Sequence, residues 1–85
     1  MSYEVLLSSR AQRDLDRLVG TTLLRLEKAI LKLESDPRPH GAKKLKGATR
    51  YWRVRVGDYR VLYEIEDEAK KIVVHRIAHR REIYR

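Results

Sequence analysis

Among its 85 residues the chain has no cysteine and no phenylalanine, a single tryptophan, a single methionine, two prolines and four glycines. Without cysteine there is neither a disulfide framework nor a thiolate metal site, so a domain this small must fold on packing alone. No apolar run approaches the roughly 18 residues that a membrane-spanning helix needs, which argues against a membrane protein. The start, Met1-Ser2-Tyr3-Glu4-Val5, lacks the basic region, apolar stretch and small-residue cleavage site of a secretory signal, so a cytoplasmic location is expected. Internal repeats and low-complexity segments are also absent. What remains is 42% hydrophobic and 38% charged, enough for a small core under a densely charged surface, and the length allows one domain, expected over residues 1–85.

The net charge of +8 is not evenly spread. Residues 1–36 balance, whereas residues 37–60 carry Arg38, Lys43, Lys44, Lys46, Arg50, Arg53, Arg55 and Arg60 against Asp58 alone. A solubilising surface normally intersperses both signs. A focused positive field suits a polyanion or an acidic protein instead.

Tyr3 to Leu7 reads as a strand broken by Ser8-Ser9. Ser9 with Gln12 fits a capping box, and Ala11, Leu15, Leu18 and Val19 make one apolar stripe of a helix that Gly20 stops. Thr21 or Thr22 can cap a second helix, with Leu23, Leu26, Ile30 and Leu33 on its stripe, Leu24 and Leu31 widening it, and an end near Ser35. The short connection makes the pair a helical hairpin. Asp36-Pro37-Arg38-Pro39 ends it, because proline lacks an N–H and restricts its predecessor.

From Tyr51 the period changes to two. A β-hairpin with Gly57-Asp58 as a type II′ loop would pair Val56 with Tyr59, Arg55 with Arg60, Val54 with Val61 and Trp52 with Tyr63. Trp52, Val54, Val56, Val61, Tyr63 and Ile65 would then meet the helices, leaving Tyr51, Arg53, Arg55, Arg60, Leu62 and Glu64 on an open face. Ile72 to Ala78, apolar except for His75 and Arg76, reads as a more central strand. The expected fold is α+β, in the order β-α-α-β-β-β, with the helical hairpin on one face of a mostly antiparallel four-stranded sheet.

On the open face Arg55 and Arg60 would stand opposite each other with Arg53 alongside. Opposed like charges destabilise a strand pair, and a local rule broken in this way marks a candidate functional site. Guanidinium groups suit phosphate, since each offers a planar fork of donors and stays charged. Beyond the last strand, Arg80 and Tyr84 sit four residues apart, positioned to fold back over this face, Tyr84 offering a ring for stacking or a phenol for proton transfer. His75 and His79 make a poor metal site, so neither metal nor cofactor is expected.

The segments Lys44-Leu45-Lys46-Gly47, Tyr51 through Ile65, and His79-Arg80-Arg81-Glu82-Ile83-Tyr84 resemble the RelE branch of the RelE/ParE superfamily of type II toxin-antitoxin toxins, whose fold is microbial ribonuclease-like. The resemblance covers nearly the whole chain and implies a ribosome-dependent mRNA endoribonuclease, an mRNA interferase, that cuts in the A site and inhibits translation. It places Arg53, Arg55, Arg60, Arg80 and Tyr84 in the active site, the arginines around the scissile phosphate as the ribose 2′-OH attacks, with no metal required. Lys43, Lys44, Lys46, Arg50, Tyr51 and Arg81 are the further RNA-binding candidates. The implied partners are the ribosome, mRNA and a cognate acidic RelB-like antitoxin, through which the toxin oligomerises.

Where the family often has lysine, this chain has Arg53 and Arg55, and arginine holds its proton too tightly to act as an ordinary base. The base is left open between Tyr84, a ribosomal group and His79, and Arg81 competes with Arg80 as the active-site arginine. The alternative reading is a ParE-like, non-catalytic inhibitor of DNA gyrase. A plain RNA-binding module ranks third, because it gives Arg80 and Tyr84 no joint role.

Overall fold

The computed structural model describes residues 2–47 and 50–83. The elements are β1 (Glu4–Leu7), α1 (Ser9–Asp16), α2 (Gly20–Lys32), β2 (Lys43–Lys44), β3 (Tyr51–Val56), β4 (Tyr59–Glu66), β5 (Lys71–His79) and α3 (Arg80–Ile83). They build a sheet of five strands in the order β1-β5-β4-β3-β2, with β1 parallel to β5 and the other pairs antiparallel. The α+β class and the helical hairpin are as expected, but the sheet has five strands rather than four. The added β2 is only Lys43–Lys44 in the basic connection, too short to show any period.

The hairpin register matches the sequence reading at every pair, from Val56 opposite Tyr59 to Trp52 opposite Tyr63. Gly57 has φ +61° while Asp58 is not in the left-handed region, which separates a type II′ loop from type I′. The buried core joins Ala11, Leu15, Leu26, Ile30 and Leu33 of the helical hairpin and its end to Val54, Val61, Tyr63, Ile65, Ile72, Val74 and Ile77 of the sheet. Three apolar residues expected on the helix stripes are exposed instead: Val19, Leu24 and Leu31. Val19 lies past the end of α1, and Leu24 and Leu31, seven residues apart, share an outer face of α2.

The first helix starts one residue earlier than the capping-box reading implied. Ser8, not Ser9, is the N-cap: its Oγ accepts from the Ala11 N–H at 3.0 Å and donates to the His75 carbonyl at 3.0 Å. Its own N–H donates to the Val74 carbonyl, so one serine both ends the β1 pairing and opens α1. The Gln12 side chain turns to Asp16 instead of back to the cap. Gly20, at φ +65°, turns the chain between the helices rather than capping α1, which ends at Asp16. The second helix closes at Lys32, and turns continue to Asp36.

In β5 the core-facing parity changes. Ile72 and Val74 face the core, and so does Ile77. Strict alternation would have driven either His75 or Arg76 inward. A β-bulge opposite Leu62 and Tyr63 resolves this, since Tyr63 pairs with Val74 and Leu62 with Arg76, leaving His75 as the extra residue.

Tyr63 is fully buried, and its phenol donates to the Pro37 carbonyl at 2.8 Å, tying the chain after α2 to the sheet. Burial pushes the Tyr63 phenol up to about 12. The unfolded phenol, near 10, ionises first, so this contribution is complete below pH 10 and is lost as pH rises towards 12. The expected loss across that window is on the order of 2–3 kcal/mol in urea titrations, and Tyr63→Phe should remove that component. Nearby, Arg38 makes a bidentate pair with Asp67 at 2.8 and 3.3 Å, lies 5.1 Å from the Trp52 ring, and shares Asp67 with the Tyr3 phenol. The hydrogen bonds from Arg38 and from Tyr3 hold the Asp67 carboxyl below its usual range.

Candidate nucleic-acid interface

The site is built on β3 and β4, because the hairpin register decides which side chains share a face. Arg55 pairs with Arg60, which pairs with Ala78; one row further, Lys43 pairs with Arg53, Arg53 with Leu62, and Leu62 with Arg76. Directly opposed residues project to the same side of a sheet. Arg53, Arg55 and Arg60 therefore converge, and with Lys43 and Gly41 they line an open recess of about 270 Å³. Arg60 lies deepest, only 5% exposed, where its small neighbour Ala78 leaves room on β5.

Such a recess is suited to an anion with several oxygens. Guanidinium groups present planar donor pairs from a rigid sheet, and the surrounding apolar strands lower the local dielectric. The opposed charges of Arg55 and Arg60 work against folding. Arg55→Thr, at an exposed strand position, is expected to raise the melting midpoint by a few degrees at low ionic strength and by less at high salt. An unchanged midpoint at low salt would show that the opposition carries no energetic penalty.

The other expected residues distribute as follows. Tyr51 is on the same face, two residues from Arg53, and 41% exposed. Lys44 pairs with Trp52 and so projects from the opposite face to the recess. Lys46 is exposed in the turn after β2. Arg50 lies near Glu64 at 3.7 Å and Glu66 at 3.8 Å, beside carboxylates rather than in the recess. Arg80 opens α3, and its N–H donates to the Asp58 carbonyl at 2.8 Å, which fastens the end of β5 to the hairpin loop. Its side chain is exposed and is not among the residues lining the recess. The Arg81 N–H donates to His79 Nδ1 at 3.2 Å, and the His79 ring packs edge-on to Tyr59. Tyr84 lies outside the described residues.

Sequence reasoning assigned Lys43 to general RNA contact and missed that it completes the recess, since only pairing with Arg53 brings it there. It also missed the pairing of His75 with Glu64, where Nε2 lies 3.0 Å from Oε1. No local pattern signals either. Among the described residues, no group of three or more His, Cys, Asp or Glu side chains is placed to hold a metal ion, and no helix is long and apolar enough to cross a membrane.

Comparison with known proteins agrees with this geometry. The family model described as ParE toxin of type II toxin-antitoxin system, parDE, matches residues 5–84. Toxin RelG of Mycobacterium tuberculosis is 35% identical over 86 residues, covering 100% of this chain and 99% of the relative. RelE1 of Methanocaldococcus jannaschii is 30% identical over 88 residues, covering 100% and 98%. Among solved structures, the archaeal RelE-RelB complex from Pyrococcus horikoshii OT3 superimposes with a TM-score of 0.83 at 28% identity, covering 94% of this chain and 97% of that one. With a family match across almost its whole length, relatives bearing the RelE name and a RelE fold around an arginine-lined recess, the chain belongs to the ParE toxin family of type II toxin-antitoxin systems and is a RelE-type toxin of the RelE/ParE superfamily.

Proposed function

We propose that this single toxin domain, residues 1–85, is a cytoplasmic, ribosome-dependent, metal-independent mRNA endoribonuclease that cuts in the A site and so inhibits translation. The observation that carries this reading is the convergence of Arg53, Arg55 and Arg60, with Lys43, on one recess. RNA supplies its own nucleophile, so the protein's task is to hold the phosphate and stabilise charge as the 2′-OH attacks in line, leaving a 2′,3′-cyclic phosphate. Preorganised arginines meet that requirement. The recess arginines hold their protons too tightly to be ordinary bases, and the candidates for proton removal are Tyr84, His79 and a ribosomal group.

A cognate acidic, RelB-like antitoxin is the second partner. A net charge of +8, with its excess in residues 37–60, favours an acidic protein, and a solved relative is a RelE-RelB complex. Oligomers then form through the antitoxin.

One observation favours a different target: the matching family model carries the ParE name. In that reading the toxin binds DNA gyrase without catalysis, and the arginine face is a docking surface. Mapping new mRNA 5′ ends after induction, beside plasmid topology from the same cells, separates the two. Cleavages within translated codons are expected. Growth arrest with intact mRNA and broken or relaxed plasmid would point to gyrase.

A further inference from the structure

One row along the sheet from Arg53, the open face changes character. Tyr51 pairs with Glu64 and Glu64 with Val73, and the bulge that adds His75 to β5 brings its ring to the same place. The Tyr51 and His75 rings lie 5.6 Å apart, tilted at 50°, with the tyrosine 41% exposed. Glu64 holds His75 Nε2 at 3.0 Å with one carboxylate oxygen and lies 3.7 Å from Arg50 Nη1 with the other. Rows on one face are about 6.7 Å apart along a strand, comparable to the step between nucleotides in an extended single strand. A partly exposed His–Glu pair adds little stability, so its ordering on this face calls for another reason.

We propose that Tyr51, His75 and Glu64 form a base-binding subsite that selects a nucleotide next to the scissile phosphate. The proposal rests on the nuclease reading and supplies its specificity residues. Single-stranded RNA is read by splaying bases onto aromatic rings and contacting their edges, and this corner offers both. A carboxylate accepts, so the proton between the two groups sits on Nε2, and in that tautomer Nδ1 is left as an acceptor. It suits a base presenting an exocyclic amino group, that is adenine, cytosine or guanine. Uracil flanks its single N–H with two carbonyls and fits least well. Arg50 balances the Glu64 charge without entering the arginine recess.

The test uses ribosomes programmed with mRNAs differing at one nucleotide flanking the cut, incubated with the full-length toxin. The wild type is expected to disfavour uracil at one flanking position by roughly fivefold, the discrimination available from one hydrogen bond. His75→Leu should flatten that ratio, a change that general loss of stability does not produce. Tyr51→Leu, at an exposed position that leaves the fold intact, should slow cleavage at all bases by roughly tenfold through lost stacking. Cleavage by the wild type with no base preference, an unchanged ratio in His75→Leu, or a full rate in Tyr51→Leu would each overturn the subsite while leaving the nuclease reading in place. If His75→Leu fails to fold by circular dichroism, Tyr51→Leu decides. No cleavage by the wild type would overturn both.

Discussion

Arg60→Ala should abolish toxicity and lower single-turnover cleavage on programmed ribosomes by about 10²–10³-fold, the loss typical of removing one preorganised donor from a transition-state charge site. Arg60 is the deepest of the recess arginines, and its pairing with both Arg55 and Ala78 fixes it on two sides. Arg60→Lys supplies the control. Lysine keeps the charge but loses the planar fork, so an intermediate rate is expected, whereas a purely electrostatic role would leave Lys close to wild type. Unchanged killing by Arg60→Ala, with wild-type expression and melting behaviour, would remove the recess from the mechanism.

The centre of that site was legible from the chain alone, for a physical reason. Alternation from Tyr51 to Ile65 fixes which side chains share a face, and the Gly57-Asp58 loop fixes their register; together they place Arg53, Arg55 and Arg60 side by side. The rim was not legible. Lys43 reaches the recess only through a two-residue strand, and no periodicity can appear in two residues. The local signal favours Ser9, whose capping box Gln12 would complete, and what selects Ser8 instead is its bonds to Val74 and His75, far away in sequence.

The histidine corner shows the same limit from the other direction. The run Ile72-Val73-Val74-His75-Arg76-Ile77 cannot alternate without burying a histidine or an arginine. That conflict hints at a bulge, but its outcome depends on how β4 pairs with β5. Reading Ile72 to Ala78 as a central strand, apolar except for His75 and Arg76, therefore gave no means of placing His75 beside Tyr51 and Glu64.

Asp14→Ala should cost about 2–3 kcal/mol, lowering the melting midpoint by roughly 10–20 °C in a domain of this size. The reason lies at the edge of β5. Its partner β1 ends at Leu7, opposite Val74, so the later backbone groups on that edge have no strand to bond. Helix α1 takes the strand's place. Asp14 accepts the Ile77 N–H at 2.8 Å, while its carboxylate also lies 3.4 Å from Arg10 Nε and 3.9 Å from Arg76 Nε. Its side chain is 9% exposed, so truncation strands a backbone donor and takes the shared carboxylate from both arginines. Asp14→Asn keeps an acceptor and should lose about half as much. Faster amide exchange centred on Ile77 would locate the effect, and exchange there at the wild-type rate would refute it. Because Ala78, next in the chain, packs opposite Arg60, this clamp also supports the floor of the recess. A fully folded Asp14→Asn toxin, assayed well below its melting temperature, should therefore cleave more slowly than the wild type, and an unchanged rate would show that the clamp supplies stability alone.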